Sequence, residues 1–502
     1  MRIRLSLSLA ILLLGCHESS AQQARNVILF LADAGGLPTV NAASIHGYNE
    51  PQKLFIQSWP HVALSDTSTA SQWVSDSAAS MTAIVTGRKT HNGVISMGPD
   101  AVRGERDGTV LKTILEYAEE RGLSTGVVSN MNIADATPAA CYAHANARNK
   151  FGEIFLQVFS PRFGDGVDVV LGNGRRRIAD AITALGQDLD AVAAANKRPV
   201  YASLAAVPAS DARPIAVLDG GLDVPAAAGM AIERLSRNRK GYFLMIEWDA
   251  HTDDPRKGLD SLVAFDTLIR DVAKRVNLED TLLVFTADHS FDFSVHGGRR
   301  GEPLLKGLEE WQKGTAGKSP PHIELPSIRV HDDHTAEEVV VAAMGPGAQR
   351  VSGFMPNTRL FEIMLAAWGW PQDAPVRVEA HPATAPSSGA RVERDADVAV
   401  KQPGPHDGGG LTTAYPFFAD VEDLPIVFRK RALHPGASIG AHTQEDDEIY
   451  YVIGGTGEYT LDGRTSTVSA GTALLTRRGS THSLRQTGKG DLVILIAYLR
   501  RS

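Results

Sequence analysis

The chain has 502 residues, of which 43% are hydrophobic and 22% charged, and its formal net charge is −8. These values exclude a mostly disordered, collagenous or coiled-coil protein. The 50 basic residues form no stripe of the kind that binds a phosphate backbone, so nucleic acid is not indicated as a partner. The two cysteines, Cys16 and Cys141, exclude a disulfide framework, a Cys-built zinc site and an iron–sulfur cluster.

The first 21 residues have the pattern of a signal peptide. Arg2 and Arg4 precede the apolar run Leu5–Leu14, which is too short to span a bilayer. Small residues ending at Ala21 suit an ordinary signal peptidase, whereas the segment ending at Cys16 resembles a bacterial lipobox and would carry a lipid anchor. The sequence therefore predicts an exported protein, periplasmic or an outer-membrane lipoprotein of a bacterium. No later apolar run approaches the ~18 residues of a membrane span.

Residues 25–370 alternate between short apolar runs and helical periodicity. The predicted strands are Val27–Leu31, Ser124–Ser129, Val167–Leu171, Ile215–Leu218, Tyr242–Ile246, Thr281–Ala287 and Val339–Ala343. The predicted helices are Thr109–Arg121, Pro138–Arg148 and Leu259–Val276. This alternation predicts an α/β domain with a mostly parallel sheet sandwiched by helices. In such sheets the reacting groups lie on loops after the carboxyl ends of the strands.

A second pattern follows a predicted linker over residues 371–405, which is rich in Pro, Ala, Ser and Gly. From residue 406 to 502, short strands are separated by Gly-containing turns, which predicts a small all-β barrel or sandwich. The predicted strands are Ile426–Arg431, Glu448–Ile453, Gly457–Leu461, Thr472–Thr476 and Leu492–Tyr498.

Three segments of the first domain carry candidate phosphate or metal chemistry. Asp33 ends the first predicted strand, where a carboxylate can bind a metal or simply cap the next turn. Ser77 could lie at a helix N-terminus that favours an oxyanion, although Asp76 or Ser77 could equally be an N-cap and nothing more. Asp135 opens the helix predicted to carry Arg148, which can grip a phosphate with two parallel hydrogen bonds or lie on the surface.

Three clusters of His and Asp occur at further predicted strands, two where a strand ends and the third just before a strand begins. They are the segments Glu247–Asp254, Thr286–His289 and His331–Thr335. Imidazole and carboxylate without thiolate suit catalytic zinc and harder divalent ions. Because each cluster belongs to a strand end of one sheet, we expect them to converge.

As a set, these motifs resemble those of alkaline phosphatases over residues 25–370. The resemblance rests on Asp76–Ser80 with Thr86-Gly87, on Asp135–Ala140 with Arg148, on Thr286–His289, and on His334-Thr335 before Val341–Gly347. It implies that Ser77 is the nucleophile that becomes phosphoserine and that Arg148 clamps the phosphate oxygens. It also implies one zinc held by Asp33, Asp288 and His289, a second held by His251, His334 and a carboxylate from residues 247–249, and a magnesium shared by Asp33, Thr137 and Glu247 with Asp135 in or near its shell.

One departure from the family pattern leaves a ligand open. The family separates its magnesium Glu from its zinc Asp by several residues, whereas here Glu247, Asp249 and His251 occupy five positions. Either Glu247 binds magnesium and Asp249 binds zinc, which we favour, or Glu247 takes the zinc place and the magnesium site is incomplete.

The C-terminal segment, residues 406–502, resembles a cupin. Gly436, His442 and Glu448 follow the first cupin motif, and Gly479 and His482 the second. The resemblance implies a possible divalent metal held by His442, Gln444, Glu448 and His482, with Gln444 standing where a second His is expected. The alternative is a barrel whose polar pocket binds a small molecule or nothing.

The sequence thus predicts an exported phosphomonoesterase with two zinc ions and one magnesium, acting on a small phosphorylated substrate. A phosphodiesterase or sulfatase of the same superfamily is an alternative, but the Pro and Arg of the sulfatase motif are missing after Ser77. A third hypothesis is a ligand-binding cupin protein with an inactive phosphatase domain. The sequence leaves a homodimer and the physiological substrate open.

Overall fold

The structure is a computed structural model that describes residues 23–315, 322–370, 392–419, 421, 424, 426–444 and 446–499. The chain divides into two compact units, Met1–Ala380 and His381–Ser502. The predicted signal peptide, Cys16 and most of the predicted linker lie outside the described residues. Within the described ranges, every helix is too short or too polar to cross a membrane.

The first unit alternates strands and helices along the chain. Its strands are β1 Asn26–Asp33, β2 His61–Asp66, β3 Ser124–Asn132, β4 Val169–Asn173, β5 Val200–Tyr201, β6 Ile215–Leu218, β7 Tyr242–Asp249, β8 Thr281–Ala287, β9 Ser290–Val295, β10 His322–Glu324, β11 Ile328–Thr335, β12 Val339–Met344 and β13 Gly353–Pro356. Its helices are α1 Leu37–Tyr48, α2 Ser77–Thr86, α3 Ile114–Glu120, α4 Ala136–Tyr142, α5 Phe151–Leu156, α6 Arg175–Ala184, α7 Leu189–Ala195, α8 Val224–Leu235, α9 Pro255–Arg275, α10 Leu308–Thr315 and α11 Thr358–Trp368.

Ten of these strands form one sheet in the order β13-β2-β12-β8-β1-β7-β3-β4-β6-β5, and β10, β11 and β9 form a small second sheet. In the large sheet only β12 runs antiparallel to its neighbours. All eight residues of β1 are buried. Val27, Leu29 and Leu31 pack into one apolar cluster and Ile28 and Phe30 into another, so helices cover both faces. The predicted α/β fold is confirmed.

The local predictions differ from the structure at three places that matter for function. The helix predicted from Thr109 begins only at Ile114, because Thr113 caps it. The helix predicted over residues 138–148 ends at Tyr142, so the prediction that it carries Arg148 was wrong. The cluster around His334 belongs to β11 of the small sheet rather than to a loop of the large one.

The described residues of the second unit are all-β apart from one turn of helix, α12 Asp395–Val398. Its strands are β14 Val400–Pro403, β15 Leu411–Tyr415, β16 Ile426–Leu433, β17 Ser438–Thr443, β18 Glu448–Gly454, β19 Thr456–Leu461, β20 Arg464–Ser469, β21 Ala473–Thr476, β22 Thr481–Gln486 and β23 Leu492–Leu499. They form a sheet in the order β14-β15-β16-β23-β18-β21 and a second in the order β17-β22-β19-β20. The strand β14 falls inside the predicted linker and pairs with β15.

Candidate active site

The sheet topology brings the three predicted His/Asp clusters to one edge. β1 lies between β7 and β8, and the pairing register places Asp33 beside Asp249. Asp288 and His289 follow β8 directly. Because β12 runs antiparallel, its start lies at the edge where the parallel strands end, and β11, which carries His334, comes just before it. The expected convergence is therefore found in the structure.

A first group of ligand atoms surrounds a common point. Asp33, Asp288 and His289 each offer an atom to it. His289 Nε2 lies 3.5 Å from Asp33 Oδ1 and 3.4 Å from Asp288 Oδ2, and Ser77 Oγ lies 3.3 Å from the same nitrogen. Zinc bonds of ~2.0–2.1 Å in a tetrahedron imply ligand separations of roughly 3.3 Å, which these distances match.

The charges in this group also suit a divalent ion. Asp33 Oδ1 and Asp288 Oδ2 are buried and have no hydrogen-bond partner among the residues that the structure describes. Burial, and after it the charges of Asp288, Glu247 and Asp249, raises the pKa of Asp33 well above its usual range. A cation between these carboxylates would offset both the repulsion and the missing hydrogen bonds.

The imidazole of His289 is held in the form that binds a metal. Burial, followed by the neighbouring His334 and His251, lowers its pKa to about 4, although Asp288 opposes this shift. Its Nδ1 donates to the carbonyl oxygen of Ser290 at 3.2 Å, which leaves Nε2 as the free acceptor. His289 is therefore a neutral imidazole with its lone pair directed at the first group.

A second group consists of His251, His334 and, shared with the first, His289. The rings of His289 and His334 stack with centroids 3.7 Å apart. His334 Nδ1 donates to the Ser75 carbonyl oxygen at 3.0 Å, and His251 Nδ1 lies 2.9 Å from Asp249 Oδ1. Two metal positions with one imidazole between them fit this arrangement.

The two carboxylates that the sequence left open lie in different surroundings. Glu247 is 1% exposed and accepts hydrogen bonds from the hydroxyls of Ser129 and Thr137. Asp249 contacts His251 through one oxygen and the ammonium of Lys257, at 3.2 Å, through the other. Glu247 is thus grouped with Thr137, and Asp249 with His251.

Ser77 and Arg148 lie beside the first group. Asp76 caps α2 by accepting from the Ala79 amide at 3.0 Å, so Ser77 is the first helical residue, and it is 4% exposed. Arg148 donates to Asp76 Oδ2 at 3.1 Å and to Asp135 Oδ1 at 3.0 Å. The guanidinium is thereby fixed between two carboxylates. The backbone amide of Arg148, in the loop after α4, also donates a hydrogen bond to the Gly93 carbonyl oxygen.

The residues that sequence reasoning missed are the partners of the predicted ones. Ser129 binds Glu247, Asp76 orients Arg148, and Lys257 pairs with Asp249. Asp76 was predicted only as a helix cap, whereas in the structure it both caps α2 and accepts a hydrogen bond from Arg148. Lys257 lies in the first turn of α9, and no sequence pattern distinguishes it from a solvated lysine.

Comparison with known proteins identifies the family of the chain. The family model for alkaline phosphatase matches residues 24–190 and 225–317, and the model for the cupin domain matches residues 430–498. The chain belongs to the alkaline phosphatase family. It is similar to alkaline phosphatase of Escherichia coli (strain K12), with 29% identity over 423 residues that cover 70% of this chain and 87% of the relative. Human tissue-nonspecific alkaline phosphatase is 25% identical over 71% of this chain and 77% of its own length.

Solved alkaline phosphatases share the fold. The Thermus thermophilus enzyme superposes with a TM-score of 0.57 at 22% identity, covering 73% of this chain and 97% of its own. The enzyme of the Antarctic bacterium TAB5 gives 0.55 at 23% identity, covering 70% and 100%, and a variant of that enzyme has been solved with magnesium bound. Membership of the alkaline phosphatase family, rather than this likeness of fold, makes the chain a metal-dependent phosphatase, which acts on a small phosphorylated substrate.

The C-terminal unit holds a separate cluster at the predicted cupin positions. His442 Nε2 lies 3.1 Å from His482 Nε2, which lies 3.4 Å from Glu448 Oε2. The amide end of Gln444 is 2.5 to 3.2 Å from all three atoms. Since rotating the amide by 180° exchanges its nitrogen and oxygen, Gln444 can serve this cluster as donor or as ligand.

Proposed function

We propose that this chain is an exported phosphomonoesterase that works through a phosphoserine at Ser77, with two zinc ions and one magnesium. The observation that carries this proposal is the placement of Ser77 Oγ 3.3 Å from the ligand nitrogen of His289, next to the two unpartnered carboxylate oxygens of Asp33 and Asp288. The catalytic domain is proposed to be residues 25–370. Export rests on the pattern of the first 21 residues, and the mass of the mature N-terminus distinguishes cleavage after Ala21 from lipidation of Cys16.

Each proposed ion has a set of candidate ligands in the site. Asp33, Asp288 and His289 would hold the first zinc, and His251, His334 and Asp249 the second. Asp33, Thr137 and Glu247 would hold magnesium, with Asp135 near. This assignment follows the grouping of Glu247 with Thr137 and of Asp249 with His251. Bound divalent ions neutralise the charge that develops on the entering and leaving oxygens and lower the pKa of a hydroxyl or water.

The chain's own residues supply the rest of the reaction. Ser77 Oγ forms the bond to phosphorus on the side opposite the departing ester oxygen, and water later breaks the serine–phosphate bond. Arg148 holds two of the phosphate oxygens with its remaining donors, while Asp76 and Asp135 keep its plane fixed. Positioning and charge neutralisation account for most of the catalysis in phosphoryl transfer.

Comparing an aryl phosphate with a bis-aryl phosphate tests this function against the phosphodiesterase alternative. We expect the monoester to be the better substrate, because a diester offers one oxygen fewer to Arg148. In Arg148→Lys the preference for the monoester over the diester should fall by about tenfold or more, since one ammonium cannot replace the two parallel hydrogen bonds of a guanidinium. A diester that is turned over faster than the monoester by the parent enzyme would overturn the proposal.

Lys257 is expected to compete with the second zinc for Asp249. Its ammonium lies 3.2 Å from Asp249 Oδ2 but is 67% exposed, so the ion pair is worth at most about 1 kcal/mol. Lys257→Met should tighten binding of the second zinc by up to about fivefold, as measured by competition with a chromogenic chelator. Lys274→Met is the matched control, because Lys274 on the same helix pairs with Asp271 at the same distance and exposure. Equal zinc affinities in the two variants would contradict this prediction.

The metal-free protein should lose stability as the pH rises. Burial raises the pKa of Glu247 from 4.5 to about 8, against the opposing hydrogen bond of Ser129. Between these values the unfolded chain binds fewer protons than the folded one, so the free energy of unfolding falls with increasing pH, by up to about 1.4 kcal/mol per unit and group. Denaturant unfolding after chelation measures the slope.

Glu247→Gln provides the control for this slope. Glu119, whose pKa burial also raises to about 8, titrates in the same window and remains in the variant. Glu247→Gln should therefore show a shallower slope than the parent rather than none. Identical slopes in parent and variant would show that Glu247 does not hold its proton in the folded state.

A divalent ion is also proposed for the cluster of His442, Gln444, Glu448 and His482. Burial, and after it the charges of His442 and His406, lowers the pKa of His482 to about 4, which keeps its imidazole neutral. A Gln oxygen is a poorer ligand for zinc or iron than imidazole, so weaker binding than at the phosphatase site is expected. Metal analysis of the full chain against His482→Ala tests this proposal.

A further inference from the structure

A cavity of about 540 Å³ opens beside the C-terminal cluster and contains groups that the phosphatase chemistry does not use. Its walls include Arg429, Arg431, His406 and Tyr498 in addition to the cluster itself. This volume is in the range of pockets that hold small organic molecules. The polar groups that line it decide which class of molecule fits.

Arg431 is the most unusual of these groups, because its side chain is buried and its partners are neutral. The residue is 6% exposed and donates to the hydroxyl of Thr412 at 2.9 Å. With the Gln402 amide oriented to satisfy both groups, the Gln402 oxygen accepts from both terminal nitrogens of Arg431, at 2.7 and 2.9 Å. Within the described part of the chain, no carboxylate forms an ion pair with it.

Such an arrangement orients the guanidinium without neutralising it. A buried charge without a counter-ion is costly, and proteins keep one mainly where something else provides the opposite charge. Arg429 adds a second positive charge on the same face of β16, with its guanidinium 5.3 Å from the centre of the Tyr498 ring. Both arginines line the cavity, so an anion bound inside it would supply the opposite charge.

His406 reaches the same cavity from outside the cupin motifs. Its ring stacks on that of His442, with centroids 3.5 Å apart and an angle of 6°. The loop is held against β17 by close backbone contact, since a Cβ on Gly440 would lie 1.7 Å from the His406 carbonyl oxygen. His406 and Asp407 have positive φ of 55° and 59°, so the backbone adopts a strained conformation that places the imidazole there.

We propose that this cavity is a binding site for a small organic anion, whose carboxylate or phosphate group is held by Arg431 with Arg429 and whose body packs beside His406. The site is distinct from the phosphatase centre in chemistry as well as in residues, because it includes the buried charge of Arg431, whose partners are neutral. Planar guanidinium groups bind both oxyanions through paired hydrogen bonds. The proposal does not depend on Ser77 chemistry.

Calorimetric titration of the full, metal-saturated chain with malonate and, separately, with inorganic phosphate tests the proposal. At least one of the two anions should bind, and Arg431→Met should lower its affinity by about tenfold or more. An Arg431-dependent malonate titration identifies a carboxylate ligand. An Arg431-dependent phosphate titration that persists in Arg148→Ala identifies a phosphate ligand, and Arg148→Ala removes the contribution of the phosphatase site.

The matched control is Arg485→Met, since Arg485 is an exposed arginine of the same unit that pairs with Glu458 at 2.6 Å. Arg485→Met should bind both anions with the affinity of the parent chain. Because loss of the buried Arg431 could unfold the unit, circular dichroism is recorded for each variant, and His406→Asn gives a second test with a residue that accepts positive φ. His406→Asn should weaken binding by about threefold or more. The proposal is wrong if neither Arg431→Met nor His406→Asn changes the malonate or the phosphate titration. If Arg431→Met does not fold, the proposal is wrong when His406→Asn leaves both titrations unchanged.

Discussion

Ser77→Ala is expected to lower kcat/KM for an aryl phosphate by about 10³-fold or more. The variant loses the oxygen that lies 3.3 Å from His289 Nε2, and with it the covalent route. Phosphate binding should survive, because Arg148 keeps its contacts with Asp76 and Asp135. Steady-state kinetics measures the loss, and inhibition by inorganic phosphate measures what remains.

Two comparisons make the Ser77 prediction specific. Ser58→Ala removes an exposed hydroxyl that donates to the Phe55 carbonyl oxygen, so it should retain full turnover. Acid-quenched parent enzyme should carry a phosphoryl group on the peptide with Ser77, detectable by mass spectrometry. A Ser77→Ala enzyme with turnover near that of the parent would show that water attacks the ester directly.

The sequence was sufficient for seven of the ten strands of the large sheet, because a strand buried on both faces leaves an uninterrupted apolar run, whereas β2, β5 and β13, toward the edges of the sheet, were missed. Ile215–Leu218 and Thr281–Ala287 were predicted with the bounds that they have in the structure. Strands of the second unit were harder to predict from the sequence, and Ser438–Thr443 and Thr481–Gln486 were missed. Both mix polar and apolar residues because they carry the side chains of the His442 and His482 cluster.

The site could be predicted as a set of residues but not as a set of contacts. Strand ends at one edge are a property of topology, so Asp33, Asp249 and Asp288 were expected to converge. The position of Arg148 depends on where α4 stops, and the chain leaves the helix at Ala143 with extended backbone for reasons of tertiary pairing, since Ala145 bridges to Ile95. Side-chain pairs such as Lys257 with Asp249 follow from neighbouring helices and have no local signal.

Asp33→Asn is expected to have opposite effects on the stability of the metal-free and metal-loaded enzyme. Without metal, Asp33 Oδ1 and Asp288 Oδ2 are buried, unpartnered carboxylate oxygens, and removing one charge should raise the free energy of unfolding by about 1–2 kcal/mol. With metal, the variant loses a ligand that two ions are proposed to share. The stabilisation by bound ions, about 4 kcal/mol at a thousandfold excess over Kd, should shrink or vanish, together with the activity.

Asp266→Asn is the control that separates this behaviour from that of an ordinary buried carboxylate. Asp266 is also buried but accepts hydrogen bonds from the amides of Phe55 and Ile56, at 2.8 and 3.0 Å. Its replacement should destabilise both forms by a similar amount, about 1–3 kcal/mol, because an amide nitrogen would face a backbone N–H. Unfolding is compared at alkaline pH, where Asp33 is more fully ionised despite its raised pKa. If Asp33→Asn destabilises the metal-free protein as Asp266→Asn does, then Asp33 is held by structural contacts and the proposed metal site is wrong.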